Sequence, residues 1–198
     1  MPNPYAADLG TRNALEAFSE TPFLLETRVA SWNDQQFERS YAPGKWSMRQ
    51  VLIHLAQTEL ALGARVRFAL TQDGYTAQNF SQDDWLPLDG AADARTALGV
   101  YTALRRMNAG MCRRLTAGQR DRAFTHPEYG QLTVAWVIAQ MAGHDIHHLK
   151  QFEMLGQAGE SVMASRRQLK APTGSRSQPG QILSTTEKRR NGEDLLRH

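Results

Sequence analysis

Along the first 155 positions, apolar residues recur at three- and four-residue spacings, the period of helices that bury one face. From Thr11 to about Trp32 that face is Leu15, Phe18, Phe23, Leu24 and Leu25. Thr21-Pro22 lies inside the pattern and reads as a restart, since proline suits a first helical turn and not an interior. The first helix is therefore expected to be kinked or in two pieces, after an irregular lead-in over residues 1–10. Residues 33–46 form a connection with a turn at Pro43-Gly44. Ser47-Met48-Arg49-Gln50 has the form of a capping box, in which Ser47 accepts from the Gln50 N–H and the Gln50 side chain reaches back. It sets the start of a second helix near Met48, which runs to about Thr71. Residues 72–88 are polar and read as a long loop with a short turn. A third helix is expected from Asp89 to Leu115, with Leu98, Tyr101, Leu104, Met107, Met111 and Leu115 inward. After a turn at His126–Gly130 and a short extended stretch at Gln131–Thr133, a fourth helix begins near Thr133 or Val134. It ends near Leu155, with Val134, Val137, Ile138, Met141, Phe152 and Leu155 on its inner face. Four such helices joined by a long connection predict an all-α protein, a four-helix bundle over residues 1–155.

Composition changes the picture at the C-terminal end. Residues 156–198 are rich in Gln, Ser, Arg, Gly and Pro, and they read as a flexible basic tail that cannot bury enough apolar surface to offset its ordering entropy. The tail holds eight basic against four acidic side chains, which leaves fifteen against sixteen for the rest of the chain. The sequence pI of about 9.2 therefore comes from the tail. A near-neutral body excludes a nucleic-acid-binding core, which needs clustered cations on its folded surface. No apolar run approaches the roughly 18 residues of a membrane span. The N-terminus lacks the basic and apolar regions of a secretory leader. A cytoplasmic protein is the expectation, and the single cysteine, Cys112, allows no internal disulfide.

Three of the six histidines fall within Ala142–Gln151, at His144, His147 and His148. At about 100° per residue, His144 and His148 lie inside the apolar arc of the fourth helix, and His147 points about 90° away. Histidines at i and i+4 on one face are close enough to grip one ion. On the second helix, His54 lies about 60° beyond the apolar arc, on a stripe with Thr58, Ala61 and Arg65. Two readings fit: core histidines hydrogen-bonded to neighbours, or His54, His144 and His148 as ligands of one metal ion. Three histidines leave coordination positions open, unlike the four protein ligands of a closed structural zinc site. An open site polarises a substrate oxygen or activates a water or thiol. His126, in a turn, and His198, at the terminus, are not expected as ligands. Asp145 either orients an imidazole or pairs with an arginine. Gln151 either supports His148 from behind or lies on the surface. Glu59, unusual in an apolar arc, is expected to be structural. Cys112 and the tryptophans Trp46, Trp85 and Trp136 are expected to be packing residues.

The run K-W-S-M-R-Q-V-L-I-H-L-A-Q-T-E at Lys45–Glu59, followed some ninety residues later by H-D-I-H-H-L-K-Q, resembles the DinB/YfiT-like superfamily over about residues 11–155. The resemblance implies a four-helix bundle whose metal is held by His54, His144 and His148, while helical placement makes Asp145 and Gln151 the candidates to stand behind them. It implies a divalent metal, Zn²⁺ by default with Ni²⁺ or Fe²⁺ as alternatives. The implied activity is S-transfer from a low-molecular-weight thiol to a small-molecule substrate. A metal-dependent hydrolase and a non-enzymatic metal-binding stress-response protein are the alternatives. A homodimer is also implied, but the resemblance assigns no catalytic side chain and offers no role for the basic tail.

Overall fold

The computed structural model describes residues 2–170, with side chains described as far as residue 156. Ten elements follow in order: α1 (Ala6–Leu9), α2 (Ala14–Val29), α3 (Asp34–Phe37), α4 (Met48–Thr71), α5 (Gln82–Trp85), α6 (Ala94–Arg113), α7 (Ala117–Arg120), β1 (Ala123–His126), β2 (Gly130–Thr133) and α8 (Val134–Lys170). The four long helices, α2, α4, α6 and α8, form a bundle. The packed pairs are α4 with α6, α2 with α8, α2 with α6, and α4 with α8. Hence α2 stands diagonal to α4, and α6 diagonal to α8, although each pair is consecutive among the long helices. The long α2–α4 and α6–α8 connections make these diagonal crossings. A simple up-and-down bundle would instead place consecutive helices side by side.

The capping box works as its sequence implies: the Ser47 N–H donates to Gln50 Oε1 at 2.8 Å, and the Gln50 N–H to Ser47 Oγ at 3.3 Å. Helix α4 starts at Met48 and ends at Thr71, both at their expected positions. Helix α6 begins five residues later than the periodicity suggested, because the Asp93 side chain accepts from the Thr96 N–H at 2.8 Å and serves as its cap. Helix α2 is one piece, with Pro22 inside it. Proline removes the N–H that would bond the carbonyl of Phe18. That carbonyl instead accepts from Arg105 Nη1 at 3.3 Å, and of the two forms expected for the first helix, kinked or in two pieces, the second does not occur.

Two further departures concern the chain ends. Residues 5–9 are not merely irregular, since α1 packs on α8. The fourth helix does not stop near Leu155 but continues to Lys170. Gly156 alone costs a helix only about 1 kcal/mol, and the next proline is Pro172. The rest of the expected basic tail, residues 171–198, lies outside the described residues. Among the described residues, no helix is long and apolar enough to cross a membrane. The segment between α7 and α8 is an antiparallel hairpin in which His126 faces Gly130. Its first strand had no signature beyond the turn, because four residues are too few to show alternation.

Across the middle of the bundle runs a buried polar network. Arg105 on α6 has no exposed surface. Its Nη2 bridges Glu59 Oε1 on α4 at 2.5 Å and Asp145 Oδ2 on α8 at 2.7 Å. Tyr101 and Thr21 donate to the same Asp145 oxygen at 2.5 and 3.0 Å. Asn108 Nδ2 donates to Glu59 Oε2 at 2.9 Å. The guanidinium carbon also sits 3.8 Å from the centre of the Phe18 ring. Every long helix thus contributes to one network. Burial is the largest single influence and would raise the Asp145 carboxyl, but the Arg105 charge, together with His144 and the Tyr101 hydroxyl, holds Asp145 below the usual carboxylate range.

Candidate metal centre

Because α4 and α8 are neighbours, their histidine stripes face each other. His54 Nε2 stands 2.9 Å from His144 Nε2, and His148 Nε2 stands 3.1 Å from the same atom. All three rings are buried. Two nitrogens bound about 2.1 Å from one ion stand about 3.0–3.4 Å apart at octahedral or tetrahedral angles. The observed separations match that spacing closely, and the three ε nitrogens form a donor set of the kind that holds a metal ion. Among the described residues, no fourth His, Cys, Asp or Glu completes the cluster, so its outer side is open.

Electrostatics favour the same use. Burial, reinforced by the neighbouring His144 ring, pulls His54 down to about 3. Burial and the other two rings hold His148 well below the ordinary histidine value. Both therefore stay neutral at physiological pH, the state in which imidazole is a ligand. His148 Nδ1 and Gln151 Oε1 are 2.9 Å apart. Gln151 can only accept there through its oxygen, so His148 carries its proton on Nδ1 and presents a lone pair from Nε2. The δ nitrogens of His54 and His144 are buried without a hydrogen-bond partner among the described residues. His148 thus directs a lone pair at the centre, and a cation there would let the ε nitrogens of His54 and His144 act as acceptors as well.

Of the residues singled out in the sequence, His54, His144, His148 and Gln151 come together. Asp145 lies on the other side of His144: its Oδ1 is 3.8 Å from His144 Nδ1, beyond hydrogen-bond reach, and its Oδ2 belongs to the Arg105 network. Glu59 is structural, as expected. His147 points away and meets Asp8 at 3.3 Å. Cys112 is buried, and burial pushes its thiol up to about 11, so it is no nucleophile.

Four contributors had no helical periodicity to reveal them. The His54 ring is stacked on Phe80, with centroids 6.2 Å apart, and Trp46 lies 5.2 Å away. Tyr5 presents an edge contact to His144 at 5.0 Å. It approaches because position 143 is glycine: a Cβ there would sit 2.5 Å from the Tyr5 carbonyl oxygen. His126, read as a turn residue, is buried and lines the same cavity as His54 and His144. That cavity has a volume of about 180 Å³. A second opening, of about 280 Å³, lies against His148 and Gln151 on the other side, beside Trp46 and Lys45.

The profile of the DinB superfamily matches residues 17–152, a span that contains all three histidines. Two proteins of Oceanobacillus iheyensis, both provisionally named metal-dependent hydrolases, are 30% and 28% identical to the chain. The first match covers 64% of this chain and 73% of the relative, and the second covers 71% and 83%. Among solved structures, Bacillus subtilis YfiT superposes with a TM-score of 0.69 at 25% identity, covering 74% of this chain and 86% of that one. YfiT is described as a probable metal-dependent hydrolase with an unusual four-helix bundle topology.

Proposed function

The chain belongs to the DinB superfamily, and on that premise we propose that it is a metal-dependent hydrolase acting on a small molecule at the open face of the three-histidine site. The observation that carries the reading is the convergence of three buried ε nitrogens, with those of His54 and His148 lying 2.9 and 3.1 Å from that of His144. The provisional names of the relatives support the reaction class. His54, His144 and His148 hold the divalent ion in this reading, Zn²⁺ by default, with Ni²⁺ or Fe²⁺ accepted by the same donors. When bound, such an ion acts as a Lewis acid and makes water or a thiol nucleophilic at neutral pH. Gln151 fixes the tautomer of His148. Asp145 is held by Arg105 and places its charge behind His144 without a hydrogen bond to it. Phe80, Trp46 and Tyr5 wall the histidines from bulk water, which strengthens electrostatic interactions inside.

The second opening, against His148 and Gln151, favours one other reading, S-transfer from a low-molecular-weight thiol to a small-molecule substrate. A second opening gives a thiol a route to the histidines separate from the cavity beside His54 and His144. A homodimer, implied by the family resemblance, is part of the proposal and is tested by sedimentation at several protein concentrations.

The deciding experiment uses untagged protein. About one divalent ion per chain is expected by elemental analysis, and His148→Ala should abolish it. An ester panel is then assayed with and without added thiol. Turnover without thiol supports hydrolysis, and turnover only with thiol supports transfer. Unchanged metal content in His148→Ala would overturn the site itself.

A further inference from the structure

The cavity beside His54 and His144 contains a buried cation that forms no ion pair among the described residues. Arg65 lies on α4 on the same stripe as His54 and Thr58, and is 6% exposed. Its guanidinium has five donors. One, Nη2, donates to the Gln78 carbonyl at 2.8 Å. Among the described residues, no carboxylate lies within ion-pair distance of it. Glu128, the acidic residue lining the cavity, is exposed at its edge. Burial lowers the Arg65 pKa, with Tyr75, Glu128 and Tyr129 opposing that shift only in part. A buried charge without a partner is costly, and proteins keep such groups where something else pairs them.

His126 supplies a second donor from a different element. Its Nδ1 accepts from the backbone N–H groups of Glu128 at 3.2 Å and Tyr129 at 3.4 Å. The neutral ring must then carry its proton on Nε2, which becomes a fixed donor. Two more polar atoms line the same cavity without partners among the described residues, Thr58 Oγ1 and Gln140 Oε1. Thr58 is one helical turn from His54 on α4, and Gln140 one turn from His144 on α8. The cavity thus has a three-histidine end and a cationic, donor-rich end. The Cα atoms of His54 and Arg65 are about 16 Å apart along α4. Helical side chains lean towards the N-terminus, so the Arg65 stem leans back towards His54 and narrows that gap.

We propose that Arg65 and the Nε2–H of His126 form a subsite for an anionic oxygen group, a carboxylate or a phosphate, carried by the small molecule whose other end reaches the three histidines. A planar guanidinium matches either oxyanion with paired hydrogen bonds. Thr58 can add a hydroxyl donor, and Gln140 Oε1 an acceptor for a neutral part of the ligand. The position of the anion relative to the histidines rests on the function proposed above, but the pairing of Arg65 with an anion does not.

The test reads binding, not turnover. Thermal unfolding of the full chain is followed with sodium phosphate or sodium succinate, against chloride at equal ionic strength. One of the two oxyanions should raise Tm in a saturable manner, and which one does so identifies the chemistry. In Arg65→Gln the apparent affinity should fall at least about tenfold, as expected on deleting a charge-assisted contact. His126→Asn keeps an oxygen where Nδ1 accepts from the turn but removes the Nε2–H. It should weaken binding in the same direction and serves if Arg65→Gln fails to fold. An absence of saturable stabilisation by either anion in the wild type overturns the subsite, as does equal stabilisation in the variants. Metal content, measured on the same samples, reports separately on the three-histidine site, so the two can fail independently.

Discussion

His148 shows how a single side chain is prepared for its task. Burial and two neighbouring rings keep it neutral, and the Gln151 oxygen beside its Nδ1 directs its lone pair to the centre. Gln151→Ala should therefore leave the fold intact and weaken metal affinity by about 10- to 100-fold, the usual effect of removing a group that orients a ligand. Chelator competition measures it, and an unchanged affinity would mean that Gln151 only fills space. Asp145 and Glu59 illustrate the limit of wheel arguments. Both lie on inner faces, and both carboxylates are held by one arginine on a third helix. The sequence places each carboxylate inside, but it does not say that Arg105, forty or more residues away from either, is the partner.

At the scale of elements, α4 is the best specified. Its capping box fixes where it starts, and that start fixes the direction in which His54 points. Its packing against α6 depends on Gly63, where an added Cβ would lie 2.5 Å from Asn108 Nδ2. Asn108 cannot easily yield, because it is buried and bonded to Glu59. Gly63→Ala should therefore destabilise the protein by about 1–3 kcal/mol in denaturant unfolding, the cost of overpacking a close contact. A loss near zero would show that the α4–α6 approach is looser than its geometry. Helix α2 and the short α1 were harder to read. Proline at position 22 signals a kink or a break to any local rule, and the Phe18 carbonyl that it leaves without its helical donor is satisfied by Arg105 from another helix. The role of residues 5–9 depends on a glycine more than 130 positions away.

The whole molecule is held together by two kinds of core. Apolar clusters fill both ends of the bundle, one around Phe18, Val66 and Met141 and the other around Leu52, Tyr101 and Phe152. Between them lies the Arg105 network, which ties all four long helices. Arg105→Met should leave Glu59 and Asp145 buried without their cation and cost about 3–5 kcal/mol of stability. Urea unfolding checks it, and a loss below about 1 kcal/mol would mean that the two carboxylates find other partners or become protonated. A tightly specified network fits the site's needs, since His144 follows Gly143 and precedes Asp145 on the same turn of α8.

The sequence by itself determined the four long helices, the direction of the histidine stripes on two of them, and the start of α4. These are local properties: helical periodicity and capping act over three or four residues, so the order of side chains along the chain suffices to state them. Helical placement offered His54, His144 and His148 as one ligand set beside the alternative of hydrogen-bonded core histidines, and the resemblance to a family implied the same three. Only the tertiary structure decided that α4 and α8 are neighbours while α2 lies diagonal to α4 and α6 to α8, and so brought the ε nitrogens of His54 and His148 to 2.9 and 3.1 Å from that of His144. It alone joined His126, Arg65, Phe80 and Tyr5 to the site. These residues belong to a strand, a helix, a loop and the N-terminal segment, and no short-range rule relates them. Their meeting depends on how long connections close around a common core, and that is set by the packing of the whole chain.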